Sequence, residues 1–388
     1  MDARANPYAP GAGTKPPALT GRDEEIESLE ILLERLGQGV AGQSMIVKGL
    51  RGVGKTVLLN TFEDLAVERD WIPIFKECEP STSLPALVAR HCRRVIEDLK
   101  PTARASKRLR SVVSRLSTFT VVDPNGFELR FDLGRGGAPP DTLSDDFVDL
   151  LLEVAALSRD RNRGVLFVFD EVQFVHPDEF GPFVVGLHRI NQKGLPLTCV
   201  AAGLPTLPKL AGEAKTYAER LFTYPTIGRL PRDAADEALA RPAWVRKVRF
   251  SKSALELAYE RTQGYPYFIQ EYGKYAWNVA DGSRIDRPDV ERAAELAQHA
   301  LDDGFFLVRA ERATEAERRF IRAMASLGDG PHAIREVVRA LGKRSASQLS
   351  MQREALIRKG LIYSPRTGQL DFTVPLFGDF LRRRYRGV

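Results

Sequence analysis

Residues 49–56 read Gly49-Leu50-Arg51-Gly52-Val53-Gly54-Lys55-Thr56, a complete G-x-x-x-x-G-K-T motif. The motif follows the short apolar run Ser44–Val47 and precedes a segment whose apolar residues recur at helical spacing. A strand, a glycine-rich turn and a helix in this order bring backbone N–H groups around phosphate oxygens at a helix N-terminus. The stretch therefore predicts a phosphate-binding loop, or P-loop, within an α/β fold.

The polar side chains of the motif have separate expected roles. Lys55 is expected to reach the β- and γ-phosphates of a bound nucleotide, and the Thr56 hydroxyl to hold Mg²⁺. The predicted nucleotide-binding residues of this segment are Gly49, Gly52, Val53, Gly54, Lys55, Thr56 and Val57.

A second motif supplies carboxylates. The five apolar residues of Val165–Phe169 predict a buried strand that ends at Asp170 and Glu171. Asp170 is a candidate metal ligand together with Thr56, and Glu171 is a candidate base that polarises water for attack on the γ-phosphate. The catalytic prediction thus comprises Lys55, Asp170 and Glu171.

Elsewhere the chain alternates helical and strand patterns. Continuous apolar strands between helices indicate a parallel sheet covered on both faces, hence a P-loop α/β fold. Residues 101–142 interrupt the alternation, and two alternating runs at 118–122 and 127–133, separated by Asp123–Gly126, predict a β-hairpin insertion there. Residues 1–18, rich in Ala, Gly and Pro, are interpreted as a flexible tail.

Composition excludes several classes of protein. The chain has 388 residues, 43% of them hydrophobic and 28% charged, which at about 150 residues per domain predicts two or three soluble domains. No apolar run approaches the ~18 residues of a membrane helix, and the N-terminus shows no signal segment, so we expect a cytoplasmic protein. Three separated cysteines and five scattered histidines disfavour a structural zinc site.

With these motifs the chain resembles P-loop ATPases of the AAA+ superfamily, within the branch of origin-recognition-type initiators, archaeal-type ATPases and STAND signalling ATPases. Gly21-Arg22 resembles the motif that contacts the adenine end of the nucleotide, and Gly264-Tyr265-Pro266 the lid motif whose proline lies near the base. The resemblance covers residues 19–388. It implies an ATPase domain over 19–228, a helical lid over 229–310 and a winged-helix domain over 311–388.

The resemblance also bears on hydrolysis. The segment 218–222 resembles the one that carries an arginine finger, which would make Arg220 a catalytic residue supplied to a neighbouring subunit of an ATP-dependent homo-oligomer. An exposed helical arginine without this role, or a finger at Arg229, stays an open alternative. Ala201-Ala202-Gly203 stands where many relatives place a polar sensor residue, and the lid lacks their Gly-x-x-Arg pattern. The sequence therefore predicts ATP binding with slow hydrolysis.

The basic residues concentrate at the C-terminus, where residues 313–388 hold 15 Lys and Arg against 7 Asp and Glu. Helices are predicted over Glu315–Leu327, Ala333–Leu341 and Ser345–Lys359. Strands follow at Leu361–Tyr363 and Leu370–Thr373, joined by a wing at 364–369. In DNA-binding winged helices the third helix enters the major groove. The candidate DNA contacts are Gln348, Gln352, Arg353, Arg358 and Arg366.

Two main hypotheses for function remain. The first is an ATP-dependent switch that binds DNA through its winged helix. The second is a STAND-like signalling ATPase, whose winged helix holds the protein closed until an unknown protein partner binds. A weaker third hypothesis is an accessory ATPase whose inserted hairpin docks on a partner enzyme.

Overall fold

A computed structural model describes residues 1–11, 13–99, 120–121, 129–130 and 140–385. Of the predicted hairpin, it describes β3 (Thr120–Val121) and β4 (Leu129–Arg130), which pair antiparallel. The rest of the predicted insertion up to residue 139 lies outside the described residues. Arg386, which follows the basic residues Arg382–Arg384, also lies outside them. Within the described part of the chain, no helix is long and apolar enough to cross a membrane.

A five-stranded parallel sheet forms the centre of the N-terminal half, in the order β2-β5-β6-β1-β7. This sheet confirms the predicted α/β P-loop fold. Its strands are β1 (Ser44–Lys48), β2 (Trp71–Glu77), β5 (Gly164–Asp170), β6 (Leu197–Gly203) and β7 (Phe222–Thr223).

Helices cover both faces of the sheet, so β5 and β6 are buried along their full length. On one face, the apolar sides of α1 and α2 pack on β1 and on alternate residues of β5; on the other, α3, α4 and α5 pack on the remaining alternate residues. The bounds are α1 (Asp23–Gly37), α2 (Lys55–Glu68), α3 (Leu84–Leu99), α4 (Pro140–Asp160), α5 (Pro177–Gln192) and the shorter α6 (Leu207–Ala214). Because all five strands run in parallel, their carboxyl ends meet at one edge, where β1 leads into the P-loop and β5 ends at Asp170.

Four helices follow the sheet domain in the region predicted as a lid. They are α7 (Arg232–Val245), α8 (Lys252–Thr262), α9 (Pro266–Val279) and α10 (Arg287–Ala300), with the short parallel pair β8 (Arg249–Phe250) and β9 (Arg284–Ile285) beside them. A separate apolar core built around Trp277, Leu239 and Leu257 holds them together.

The C-terminal region contains helices and a three-stranded antiparallel sheet in the order β10-β12-β11. The elements are α12 (Glu315–Ser326), β10 (His332–Ala333), α13 (Ile334–Ala340), α14 (Ser350–Arg358), β11 (Ile362–Tyr363), β12 (Gln369–Phe372) and α15 (Phe377–Arg384). The predicted third helix is shorter than expected, because residues 346–349 form a 3₁₀ turn. Leu327 and Ile357 are 38% and 39% exposed, because Leu327 lies past the end of α12 and Leu356 takes the inward position on α14.

A cluster of phenylalanines joins the lid to the C-terminal region. A π-helical turn at Leu301–Leu307 leads from α10 into α11 (Val308–Glu311) and places Phe306 in the cluster. The Phe306 ring lies 5.4 Å from that of Phe380, 6.1 Å from that of Phe377 and 6.0 Å from that of Phe268 on α9. The two regions therefore share one apolar core.

The segment 1–18, interpreted from composition as a flexible tail, packs on the lid through described residues such as Tyr8 and Asn6. Tyr8 is 5% exposed, packs against Gly273 and donates its hydroxyl to the carbonyl of Leu239. The Asn6 amide donates to the carbonyl of Lys274 at 2.9 Å. Composition alone suggested disorder, but a buried aromatic ring with a satisfied hydroxyl holds the segment on the lid.

We expect Phe306→Ala to lower the free energy of unfolding by about 3–5 kcal/mol, because the truncation leaves a cavity between lid and C-terminal region. Val308→Ala, at a residue 46% exposed, is the matched control and should change stability little. Urea denaturation followed by circular dichroism measures both. Equal losses in the two variants would contradict the shared core.

Candidate functional site

A cavity of about 420 Å³ lies at the carboxyl edge of the sheet, between the P-loop and the lid. The N-terminal segment and the π-helical turn complete its walls. The residues that line it include Ala9, Thr14, Leu19, Arg22, Arg51, Gly52, Val53, Gly54, Lys55, Thr56, Val57, Glu171, Leu230, Pro266, Gln270, Phe305 and Arg309.

The P-loop lies at one end of this cavity. Gly54 has φ +92°, a conformation that L side chains rarely adopt, and it directly precedes the first residue of α2. Lys55 is 6% exposed, and its Nζ donates to the carbonyls of Gly49 at 3.0 Å and Leu50 at 2.9 Å. Burial lowers the pKa of Lys55, opposed by the nearby Glu171 and Asp170 carboxylates. An ammonium held by neutral carbonyls beside a helix N-terminus is well placed to bind an anion.

Thr56 and Asp170, the two predicted metal ligands, lie together. The Thr56 hydroxyl donates to Asp170 Oδ2 at 2.5 Å, and Asp170 is only 3% exposed. Burial raises the pKa of Asp170, and the hydrogen bond from Thr56 opposes this shift. Paired hydroxyl and carboxylate oxygens beside a phosphate-binding loop fit the oxygen preference of Mg²⁺.

The Glu171 side chain lines the cavity with both carboxylate oxygens engaged. Oε1 lies 3.5 Å from the Arg51 guanidinium, and the Gln173 amide donates to Oε2. The side-chain amide oxygen of Gln173, Oε1, accepts a hydrogen bond at 3.1 Å from the backbone N–H of Leu204, which lies just past the end of β6. Gln173 thus lies beside the apolar end of β6, where the sequence showed no polar sensor. Its position two residues beyond Glu171 was the only signal that could have identified it.

The motif residues outside the P-loop divide into two groups. Arg22 is 7% exposed and donates to the carbonyls of Val53 at 3.1 Å and Gly228 at 2.7 Å. It therefore connects the P-loop to the residue that directly precedes the lid. Pro266 lines the cavity directly. Gly21 does not line the cavity: a Cβ at Gly21 would meet Ala234 of the lid. Gly49, the first residue of the P-loop motif, does not line the cavity either.

Arg309 was not identified from the sequence and lies in the cavity wall. Its guanidinium stacks over the Phe305 ring, 3.9 Å from the centroid, and donates to the Phe305 carbonyl at 2.6 Å. Burial and the neighbouring Arg51 lower its pKa to about 10. No motif marks this arginine, because it reaches the cavity through the π-helical turn after the lid.

The C-terminal region contacts the P-loop directly. The Arg51 backbone N–H donates to the carbonyl of Thr373 at 2.9 Å, and a Cβ on Gly360 would lie 2.7 Å from the Arg51 guanidinium. Thr373 is fully buried and donates its hydroxyl to the Gly360 carbonyl at 2.6 Å. One residue of the P-loop therefore touches both the C-terminal region and Glu171.

Comparison with known proteins agrees with this geometry. Residues 18–211 match the family model of the AAA ATPase domain. The chain belongs to the AAA ATPase family. Residues 303–381 match a domain of unknown function, DUF8462. No curated protein sequence matches the chain.

Solved structures share the fold of this AAA ATPase at low sequence identity. The Walker-type ATPase PABY2304 of Pyrococcus abyssi is 18% identical over 94% of this chain and 96% of its own, with a TM-score of 0.54. The Aeropyrum pernix ORC2 protein in its ADP form is 14% identical over 100% of this chain and 99% of its own, with a TM-score of 0.53. These likenesses show a common architecture along nearly the whole chain.

The remaining predicted residues of this AAA ATPase lie away from the cavity. Arg220 is exposed in a 3₁₀ turn beside the edge strand β7, and Arg229 is exposed before the lid. In the C-terminal region, Gln348, Arg358 and Arg366 are exposed, while Gln352 and Arg353 are half-buried. The side-chain amide oxygen of Gln352, Oε1, is buried with no hydrogen-bond partner among the described residues.

We expect Lys55→Ala to abolish nucleotide binding, because the variant loses the buried charge that faces the terminal phosphates. Calorimetric titration with a non-hydrolysable ATP analogue measures the effect. The exposed Lys252, on the lid and outside the cavity wall, gives the matched control Lys252→Ala. Unchanged affinity in Lys55→Ala would overturn the P-loop assignment.

Proposed function

We propose that this AAA ATPase is a cytoplasmic, ATP-dependent switch that hydrolyses ATP slowly and binds DNA through a C-terminal winged helix. The observation that carries the proposal is the position of Arg51. Its backbone is bonded to Thr373 of the C-terminal region, and its guanidinium lies beside Glu171. A change in the phosphates at the P-loop can therefore alter the position of the C-terminal region.

The residues of the cavity support ATP as the nucleotide substrate. Arg51, Lys55 and Arg309 place three cationic groups at the phosphate end. Mg²⁺, held by Thr56 and Asp170, would neutralise charge on the β- and γ-phosphates when bound. Lys55 holds the terminal phosphates, and Glu171 accepts the proton of the attacking water. Arg309 supplies further positive charge from the lid side.

Slow hydrolysis follows from the partners of Glu171. Arg51 and Gln173 each engage one carboxylate oxygen, which leaves Glu171 fewer free lone pairs to accept the proton of the attacking water. Arg51 belongs to the loop that is bonded to Thr373, so movement of that loop alters the surroundings of Glu171. Turnover is thereby linked to the position of the C-terminal region.

The domain boundaries are part of the proposal. An ATPase domain over 19–228, a lid over 229–310 and a winged helix over 311–388 agree with the order of helices and strands. Helices α12, α13 and α14 and the antiparallel sheet of the C-terminal region support the winged-helix interpretation, and the excess of basic residues in this region supports DNA as the partner. An exposed Arg220 beside an edge strand is compatible with a finger supplied to a neighbouring copy of the chain.

We expect Glu171→Gln to retain ATP binding but to slow hydrolysis by about 10²–10⁴-fold, because an amide cannot accept the proton. Asp170→Asn should instead weaken Mg²⁺-dependent binding. Phosphate release and analogue titration, measured side by side, separate the two effects. Wild-type hydrolysis in both variants would exclude these roles.

We expect duplex DNA to bind with an affinity that falls as salt rises, at a logarithmic slope of about −0.9 for each phosphate contact. Arg366→Ala, on the exposed turn between β11 and β12, should reduce that slope by about one, whereas Arg246→Ala on the lid should not. Arg353→Ala should cost about 1–3 kcal/mol and relax sequence preference if this side chain reads bases. Fluorescence anisotropy at several salt concentrations, with and without ATP analogue, measures these effects.

The contact between Thr373 and the P-loop also favours a second candidate function. In a STAND-like signalling ATPase, the winged helix would hold the protein closed until a protein partner bound. Absence of DNA binding by the full-length chain at low salt, together with faster nucleotide exchange in Thr373→Pro than in the wild type, would favour this alternative. Thr373→Pro is a suitable probe because it removes both the hydroxyl that donates to the Gly360 carbonyl and the backbone N–H that donates to the Leu361 carbonyl.

A further inference from the structure

Helix α9 runs along the cavity from its phosphate end toward the N-terminal segment. At the phosphate end, the Tyr267 N–H donates to the carbonyl of Gly52 at 3.3 Å. At the far end, Gly273 packs against the ring of Tyr8. Gln270 lies between the two, about 4.5 Å along the helix axis from Tyr267. Its side chain therefore lines the part of the cavity beyond the phosphates.

Gln270 is an unsatisfied polar group in this wall. The residue is 8% exposed, and its Oε1 has no hydrogen-bond partner among the described residues. A buried amide oxygen without a partner is costly, and such groups are rare in folded proteins. The terminal torsion of a glutamine is broad, so the amide can turn toward a ligand without leaving its rotamer.

Much of the cavity wall outside the P-loop is apolar. The lining residues Ala18, Leu19, Leu230, Ala238 and Pro266 contribute methyl, methylene and pyrrolidine groups, while Thr14, Thr20 and Arg22 add polar groups from the N-terminal part of the chain. A largely apolar wall with a buried amide suits a flat heteroaromatic ring that carries hydrogen-bonding atoms on one edge.

We propose that Gln270 selects the adenine base of the bound nucleotide. The amide carbonyl accepts a hydrogen bond from the exocyclic amine at position 6, and the amide N–H donates to N7, the bidentate geometry by which Gln pairs with adenine. Guanine and hypoxanthine carry an oxygen at position 6, which leaves the Gln270 carbonyl unpaired. This inference rests on the proposed function as an ATP-binding protein and adds the residue that reads the base.

The first experiment changes the ligand and leaves the protein unaltered. Calorimetric titration compares non-hydrolysable analogues of ATP, of inosine triphosphate and of purine riboside triphosphate, which lacks the amine. We expect the ATP analogue to bind at least tenfold more tightly than the other two, because only adenine satisfies the buried amide. Equal affinity for all three would overturn the proposal while leaving nucleotide binding intact.

The second experiment removes the amide. In Gln270→Leu, the preference for adenine should fall to within about twofold, while affinity for the purine riboside analogue stays close to that of the wild type. Gln192→Leu, the same change at an exposed residue outside the cavity, should keep the full preference. A preference retained in Gln270→Leu would assign base selection to another group and overturn the proposal.

The two experiments separate the failure of this inference from that of the proposed function. If the wild-type chain binds none of the three analogues, both the proposed ATP binding and the proposed base selection are excluded. If it binds all three with equal affinity, only the proposed role of Gln270 is excluded. Thermal denaturation shows whether Gln270→Leu is folded, and the ligand comparison decides the matter on the wild-type chain if it is not.

Discussion

The hydrogen bond between the Arg51 backbone and the Thr373 carbonyl connects the parts of this molecule on which its chemistry depends. At 2.9 Å it fixes a P-loop residue against the C-terminal region, while the guanidinium of the same residue lies 3.5 Å from Glu171. A loop that binds phosphate is otherwise free to relax on its own. Here the loop and the domain packed on it share this bond, so moving one without the other breaks it.

The second constraint is electrostatic. Lys55, Asp170 and Arg309 are all largely buried, and burial is the main cause of the pKa shift in each. Charged groups that are buried away from water interact strongly over short distances. Because the fold already holds them in position, they do not have to reorient when a charged ligand binds. The cavity therefore holds both signs of charge in place before nucleotide binds, cations from the loop and the lid and carboxylates from the strand end.

Local sequence predicted the sheet and the P-loop, because they depend on apolar periodicity and on spacing within a few residues. It predicted the pair Thr56–Asp170, 114 residues apart, because parallel strands bring the ends of β1 and β5 to one edge of the sheet. It did not predict Arg309 or Gln173, whose roles depend on how distant segments fold together. Arg309 reaches the cavity only because a π-helical turn redirects the chain after α10. The contacts of the N-terminal segment could not be predicted for a similar reason: the partners of Tyr8 and Asn6 lie more than 200 residues away, beyond what a local pattern can encode.

The docking of the N-terminal segment also bears on the order of folding during synthesis. Asp2 and Tyr8 are synthesised well before their partners Trp277 and Leu239, which lie 275 and 231 residues later. Contacts between residues so far apart in sequence form late in folding, because the entropic cost of closing the loop comes before the free energy that the contacts provide. The sheet can therefore assemble while this segment is still undocked, and the segment becomes ordered only when the lid helices are complete. The last wall of the nucleotide cavity to form is then built from residues that are translated well before the lid.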